Sequence, residues 1–586
     1  MILTKPLYAD GTRTVVQRSF GGIDMREGAS DGALFDTLNM TSEHYPVLSS
    51  RAGVAEYPSF ATVSSVLGLA DTGRSGYSLL AVYDVADTPY YLVSYYDDAT
   101  ESETVGVAVA TEGGNVLTEA VSEYSPAEED GTRHTRPHAV AWGESLVLFF
   151  GDACYRAAYD KDSRSISVER LDEHYEGTAA VYFDEYKSIT LFFPIFEDEQ
   201  ESREASLAAG CKVRVRCEDG YDGYLYVKRS LVDFSPEREL AWVVELDYAE
   251  DFCERNIDGG YPDGVRMNIS LDLSVPVLEH ICVNRDRIWG VEGNRIYACA
   301  SSDPRHWFRY DGNAADSFYA EIGEVSSFTG ICNYTDSVYL FTREGVYRMY
   351  GSTPDAFSLV SLGLLGLEES ESGSFGCASG VLLYNSVEGV VAFDGSSTSN
   401  VGISLGREKL HAVKGIGCGS RYYAASGAYI YVYDLRYGTW HMLGQESDIR
   451  SLANIDGRVV SFEHSDAYYV ERDGRDEPCA LNDGMQSRVE LSPISEGSLF
   501  AVCPVGFTFC AFLGEGASLR LSISYEDGEW QEIYSTDREG RHNHRVRTSH
   551  VGRAEYYRLR FDCAGEWRLY SLARSYTECA SGDWGE

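Results

Sequence analysis

The chain has 586 residues, too many for one ordinary core, and its 44% hydrophobic and 13% aromatic content excludes wholesale disorder. With 92 acidic against 49 basic side chains the formal charge is −43, which argues against specific duplex binding through a basic patch. That charge suits plain solubility, a salt-adapted host, or a place where DNA must pass without sticking.

The 57 Gly, 42 Tyr and scarcity of helix-period segments predict a β-rich protein with many tight turns. The 14 Cys are scattered and form no CxxC pair, so a zinc ribbon or thioredoxin-like site is not supported. Many sit beside apolar strand residues, as in "GICNY" and "CPVGFTFCAF", which predicts small buried hydrophobes in a reducing cell. The start, "MILTKPLYADGTRT", has no basic region followed by a long apolar run, so no secretory signal is expected. No stretch approaches the roughly 18 apolar residues of a membrane span. A soluble protein made in the cytoplasm, without membrane insertion, is the expectation.

In chain order, residues 1–57 read as an ordered but irregular arm. Its heart, "FGGIDMREGASDGALFDTLNMTSEHYPVLSSR" (20–51), is turn-rich with a short apolar pulse at Ala33, Leu34, Phe35, Leu38 and Met40. The pulse reads as a docking patch that reaches over a neighbour or seals the domain that follows.

Residues 58–175 and 276–478 carry a repeat. "NRDRIWGVEGNRIYACAS" from 284 aligns with "YTDSVYLFTREGVYRMYG" from 334: Asp286 falls on Asp336, Ile288 on Val338, Trp289 on Tyr339 and Tyr297 on Tyr347. Val338, Gly345 and Val346 fall in turn on Leu382, Gly389 and Val390, and Tyr422 and Ile430 continue the series. Weaker copies begin near 76, 142 and 455. Each is an apolar strand, a Gly or charged turn, then an alternating strand, so a hairpin recurs about every 40 to 50 residues. That period fits four-stranded β-propeller blades, about six or seven of them. A stack of unrelated sandwich hairpins is the alternative.

Residues 176–275 interrupt the series with longer strands and an acidic patch (Glu197 to Glu204), and read as an inserted β domain. Residues 485–586 give evenly spaced alternating strands and read as a C-terminal β-sandwich of jelly-roll character. The fold class is therefore all-β: a propeller with an inserted β domain and a terminal sandwich.

Candidate chemistry is sparse. In "RHNHRVRTSH", which holds His542, His544 and His550, the first two share a strand face and could share a metal, but a solvated strand face explains them better. Asp219 and Asp222 could offer oxygens to Ca²⁺, although turn chemistry accounts for both. "SSDPRHW" (301–307) resembles the Asp-box turn of sialidase-type propellers, a structural device. "GESLV" at 143 lacks the second Gly of a nucleophile elbow. No P-loop, GxGxxG before a helix or HExxH is present. A glycosidase would need a carboxylate pair across a pocket, which sequence does not nominate. No catalytic residue, metal or cofactor is expected, and the chain reads as a non-enzyme.

The arm resembles the opening of a group of bacteriophage and prophage structural proteins, through Phe20, Gly21, Gly22, Asn39, Met40, Tyr45, Pro46, Leu48 and Arg51. "DRIWGVEGNRIYACASSDPRHW" (286–307) is similar to their central blade hairpin and its turn, through Asp286, Trp289, Gly293, Tyr297, Asp303, Pro304 and Trp307. "FTREGVYRMYG" (341–351) resembles the next blade. These matches span about a third of the chain. The chain departs from the pattern at Ser301-Ser302, where the family turn often has Gly, and in the insertion at 176–275.

The resemblance implies a β-propeller tail nozzle or hub subunit of a short-tailed phage, or a related head-completion protein. Such a subunit would form a homo-oligomeric ring, often a hexamer, below the portal and adaptor. It would close the DNA exit channel, let the genome pass without specific binding, and reside in the virion at the tail or head-tail junction. Two alternatives remain open: a host-surface glycan-binding tail protein using Trp530 or Trp567 of the sandwich, and a propeller glycosidase.

Overall fold

The computed structural model describes residues 12–26, 29, 32–67, 78–97, 102–110, 116–124, 137–150, 153–171, 174–184, 188–196, 207, 209–218, 220–247, 264–273, 275–310, 312–406, 410–445, 447–472, 476, 482, 485–498, 501–547 and 552–578. The chain divides into two compact units, one made of residues 1–72, 79–82 and 373–586, the other of 73–78 and 83–372.

Seven four-stranded antiparallel sheets have blade topology, each with its strands in chain order save the last. The all-β propeller expected from the hairpin period is the architecture found. Blades 1 and 2 start at Ser78–Val85 and His138–Trp142, blades 3 and 4 at His280–Asn284 and Gly330–Tyr334, and blades 5 to 7 at Gly376–Ala378, Lys414–Cys418 and Ser451–Ile455. The repeat found in the sequence is a strand-for-strand equivalence. Ile288, Val338, Leu382 and Tyr422 occupy the second strands of blades 3 to 6, and all four are buried. Alternating side chains on these strands put one face into the cores between blades 3 and 4 and between blades 5 and 6.

Between blades 2 and 3 the second unit carries a closed six-stranded barrel, from His174–Asp184 to Val265–Leu273. Its interior holds Trp242, Val244, Leu246, Ile269 and Leu271. This barrel occupies the stretch that the sequence assigns to an inserted domain. The acidic patch Glu197 to Glu204 lies outside the described residues, as do Asp219 and His550.

Three features depart from the sequence reading. Residues Pro58–Leu67 form a helix where blades were expected to begin. Proline at its first position has a preset φ and no N–H to waste, and Phe60, Val63, Ser64 and Leu67 bury one face at helical spacing. The last blade, second, is completed from the arm: Ala55–Glu56 pairs with Ala467–Tyr469 as its fourth strand.

Third, the terminal sandwich is not confined to 485–586. One sheet contains Arg13–Gln17, Met40–Thr41 and Leu48–Ser50 of the arm, and the other contains Leu34–Leu38. Arg13–Gln17 and Leu48–Ser50 lie end to end along the same edge of Trp567–Glu578, while Val502–Leu513 takes the opposite edge. Leu34–Leu38 caps the edge of Gln486–Leu491.

Among the described residues eleven cysteines are free and eight of them are buried. No helix among those residues is long and apolar enough to cross a membrane.

Candidate functional site

The arm crosses blade 6 and enters the sandwich, and its motif residues make that junction. Phe20 lies in the sandwich core, and its N–H donates to Pro46 O (3.1 Å). Gly21 donates to Gly32 O (2.7 Å). Gly22 presses on the last strand of blade 6, Thr439–Gly444, where a Cβ would stand 2.5 Å from Trp440 N and 2.6 Å from Trp440 O. Only glycine permits so close a backbone approach, and it lets Ile23 donate to Trp440 O at 2.9 Å.

Asn39 is the hub. It takes a left-handed φ of 56°, a conformation Asn tolerates better than most residues. Its N–H reaches Met442 O (2.8 Å), its Nδ2 reaches Gln486 O (2.7 Å), and its Oδ1 accepts from Gly444 N (3.0 Å). One side chain thus joins blade 6 to the first strand of the sandwich. Met40 and Leu48 are buried in the sandwich core with Leu34. Tyr45 stacks on Tyr437 of blade 6, with ring centroids 4.4 Å apart, and Pro46 is exposed. Arg51 is buried and donates from Nη2 to Gly444 O (3.0 Å). The apolar pulse therefore docks on this chain's own sandwich: Ala33, Leu34 and Met40 are buried, and Phe35 and Leu38 are half-buried.

Under the arm lies a charged network that sequence reasoning missed. The Asp434 carboxylate, wholly buried, accepts from Ser42 Oγ (2.6 Å), from Arg421 Nε (3.3 Å) and from Arg436 Nη2 (2.6 Å). Burial acts to raise its pKa, but the Arg436, Ser42 and Arg421 bonds outweigh it and hold it well below the usual carboxylate range. Arg421 Nη1 also grips both oxygens of Glu471.

His441, beside this network, is 3% exposed, and neither ring nitrogen has a hydrogen-bond partner. Burial, helped by the Arg421 charge, pulls its pKa down to about 4. Its folded pKa lies below the unfolded value of about 6.5, so the unfolded chain binds the extra proton between those limits. Stability should fall by about 1.4 kcal/mol per pH unit on acidification through that window, roughly 3 kcal/mol in all. Asp434 adds its loss only below about pH 4. Urea midpoints at pH 7 and pH 5 should converge in His441→Leu; an unchanged acid slope would refute the assignment.

The blade-turn residues occupy blade 3. Asp286 takes a bond from Ser301 Oγ, and its carbonyl accepts from Ser302 N (2.7 Å). Asp303 accepts from Arg305 N (3.1 Å) and pairs with His306 Nδ1 (2.8 Å). Burial opposes its ionisation, but His306 and Arg305 hold its pKa well below normal. Trp307 is buried, donates to Pro304 O (2.9 Å) and meets Phe149 of blade 2 edge-on. Trp289 is buried against Phe357 of blade 4. Gly293 makes the hairpin turn at φ 55°, and Tyr297 is buried with its hydroxyl on Glu292 (3.0 Å). The group is a lock within and between blades. Asp286 and Trp289 also line a small cavity of about 200 Å³ together with Asp336, Tyr350 and Phe357 of blade 4.

The remaining candidates resolve individually. His544 is buried, stacked on Phe509, with Nδ1 3.0 Å from the Tyr534 hydroxyl, while His542 Nε2 faces Glu539 O at 2.8 Å. No group of three or more metal-ligating side chains occurs among the described residues. Both oxygens of Asp222 are taken by Arg214 (2.8 and 2.9 Å), which supplies the positive charge a cation would have brought. Trp567, expected to be exposed, is fully buried and donates to Ser487 Oγ (2.7 Å). Its strand alternates between core and surface, and Trp567 falls on the core side. Trp530 is half-buried under the Arg560 guanidinium (4.6 Å).

The fold and these locks define the class: an all-β propeller protein with a barrel insertion and a sandwich completed by its own arm. No protein-family model matches the sequence, and no curated protein is detectably similar to it. Among solved structures it is similar to BamB from Moraxella catarrhalis, at 8% identity over 68% of this chain and 95% of that one, with a TM-score of 0.32. It is similar to Sqt1 from Chaetomium thermophilum, at 10% identity over 69% of this chain and 98% of that one, also at 0.32. The extracellular domain of BT4673 from B. thetaiotaomicron matches at 10% identity over 89% of this chain and 77% of its own, with a TM-score of 0.26. At these scores the likenesses carry no argument about function.

Proposed function

We propose that the protein is a virion structural subunit, a ring-forming tail nozzle, hub or head-tail connector component that forms or closes a DNA exit channel. The observation that carries the reading is the arm. The residues through which it resembles phage tail proteins join a blade to the sandwich within the chain, a structural use of the motif that supports the reading. The formal charge of −43 also suits a passage that must not retain nucleic acid. The reading assigns the chain no catalytic step and no cofactor; its partners are further copies of itself and the adjoining adaptor or portal.

Mass photometry of the purified chain, alone and with the adaptor complex of its particle, followed by negative-stain imaging, tests it. A closed ring, free or formed on the adaptor, is expected. A strict monomer indifferent to the adaptor overturns the proposal.

A further inference from the structure

The cavity of about 200 Å³ between blades 3 and 4 opens beside two hairpin turns, Arg285-Asp286 of blade 3 and Thr335-Asp336 of blade 4. Both blades belong to the same compact unit. The deeper wall is apolar: Trp289, Val338 and Met349 are part of the core between the two blades, and Phe357 packs against them. At about 200 Å³ the space is smaller than the roughly 300–1,000 Å³ of pockets for drug-sized molecules, and it suits a ligand of on the order of ten non-hydrogen atoms.

Most polar side chains around it are already committed. Arg287 donates to the carbonyls of Cys299 (2.6 Å), Asp316 (2.6 Å) and Ala314 (2.7 Å). Asn284 Nδ2 donates to Asn333 Oδ1 (3.0 Å), and Ser337 Oγ accepts from Arg348 Nη2 (2.9 Å). Asp286 is held by the Ser301 hydroxyl.

Two opposite charges remain. Arg285 and Asp336 are exposed at the mouth, and among the described residues neither side chain has a hydrogen-bond or ion-pair partner, the other included. Asp336 takes the place in blade 4 that Asp286 takes in blade 3, but the Ser301 bond that employs Asp286 is not repeated there. Both positions are left-handed, with φ 54° at Arg285 and 56° at Asp336, where Gly or Asn would serve the turn with less strain. Turn geometry therefore gives no reason for a charge at either.

An apolar floor below a cation and a carboxylate that do not neutralise each other suits a molecule with an apolar body and both charges at one end. A pyranose matches less well, because hydroxyls set against Val338 and Met349 would lose their hydrogen bonds. The aromatic faces a sugar would stack on are also occupied. Trp289 lies against Phe357 and Phe318, with ring centroids 4.9 and 5.9 Å away, and Arg348 covers the Tyr350 ring at 4.6 Å.

We propose that this cavity binds a free α-amino acid with an apolar side chain. Arg285 receives the carboxylate, Asp336 receives the ammonium, and the side chain rests on Met349 and Phe357. Both polar contacts are charge-assisted hydrogen bonds. The site is built by one chain, so it stands or falls independently of ring formation.

Calorimetry on the full chain tests this with L-leucine and L-phenylalanine against N-acetyl-L-leucine, L-leucinamide, glycine and methyl β-D-glucoside. Leucine, phenylalanine or both should bind more tightly than each of the other four by about tenfold or more, the effect of one charged hydrogen bond or one buried side chain. Arg285→Asn and Asp336→Asn remove one charge each and place a residue that accepts the left-handed turn, so both should fold. Each should weaken the tighter amino acid by about tenfold or more. The ligand series needs no variant, and either variant suffices if circular dichroism shows the other unfolded. Amino acids that do not bind, a capped leucine or the glucoside binding as tightly as leucine and phenylalanine, or binding indifferent to the folded variants overturns the proposal.

Discussion

Expressed alone, residues 485–586 are expected to be unfolded or aggregated, and fused by a flexible linker to residues 12–54 they are expected to fold. The arm supplies four strands of the sandwich. Without them the edges of Trp567–Glu578 and Gln486–Leu491 are bare, and long bare edges template aggregation. Phe20, Leu34, Met40 and Leu48 would leave the core as well. At about 1.5–3 kcal/mol for each buried side chain, their loss removes roughly 6–12 kcal/mol. That is comparable to the whole net stability of an ordinary domain, about 5–15 kcal/mol. Size exclusion and amide NMR dispersion of the two fragments decide the matter. A soluble, well-dispersed 485–586 fragment would make the arm an accessory.

Glu496→Ala should cost about 3–5 kcal/mol, the usual result of stripping one partner from a buried ion pair. Arg574 Nε donates to Glu496 Oε1 (3.0 Å) and Nη2 to Oε2 (3.2 Å), with both side chains almost wholly buried. Nη1 of the same arginine donates to Gln17 Oε1 (2.7 Å), so the pair also anchors the arm's first strand. The Tyr557 hydroxyl donates to the same carboxylate. Burial, together with the Glu496 charge, drives the Tyr557 pKa well above normal, so the phenol stays a donor.

Glu496 sits at φ 56°, a left-handed conformation that glycine adopts without penalty. Glu496→Gly should therefore be less harmful than Glu496→Ala by about 1 kcal/mol. Denaturant midpoints of the two variants measure both effects. Added salt should leave the difference from wild type nearly unchanged, since buried pairs are poorly screened. A loss below about 1 kcal/mol for Glu496→Ala, the level of an exposed pair, would refute the account.

The blades were legible because their signal is local. Hairpin strands a few residues apart bury alternate side chains, so Ile288, Val338, Leu382 and Tyr422 announce themselves at a regular period. The helix at Pro58–Leu67 was equally legible in the spacing of Phe60, Val63 and Leu67, but the surrounding strand pattern masks its ten residues. The blade-3 turn could be read from "SSDPRHW" because Asp303, His306 and Trp307 bond within that short run. Trp567 was misassigned because alternation marks two faces without saying which is inward.

By itself the sequence determined the all-β class, the hairpin period and the acidic surface, since each depends on composition or on neighbours along the chain. Only the tertiary structure decided that the arm belongs to the sandwich and the last blade. It also decided that Arg285 and Asp336, from the turns of two blades, line one cavity. Leu48 meets Leu569 and Ala55 meets Tyr469 across hundreds of residues. Short strands of two to five residues carry too little periodicity to name such partners. Their pairing is fixed by the edges and core that the rest of the fold leaves open.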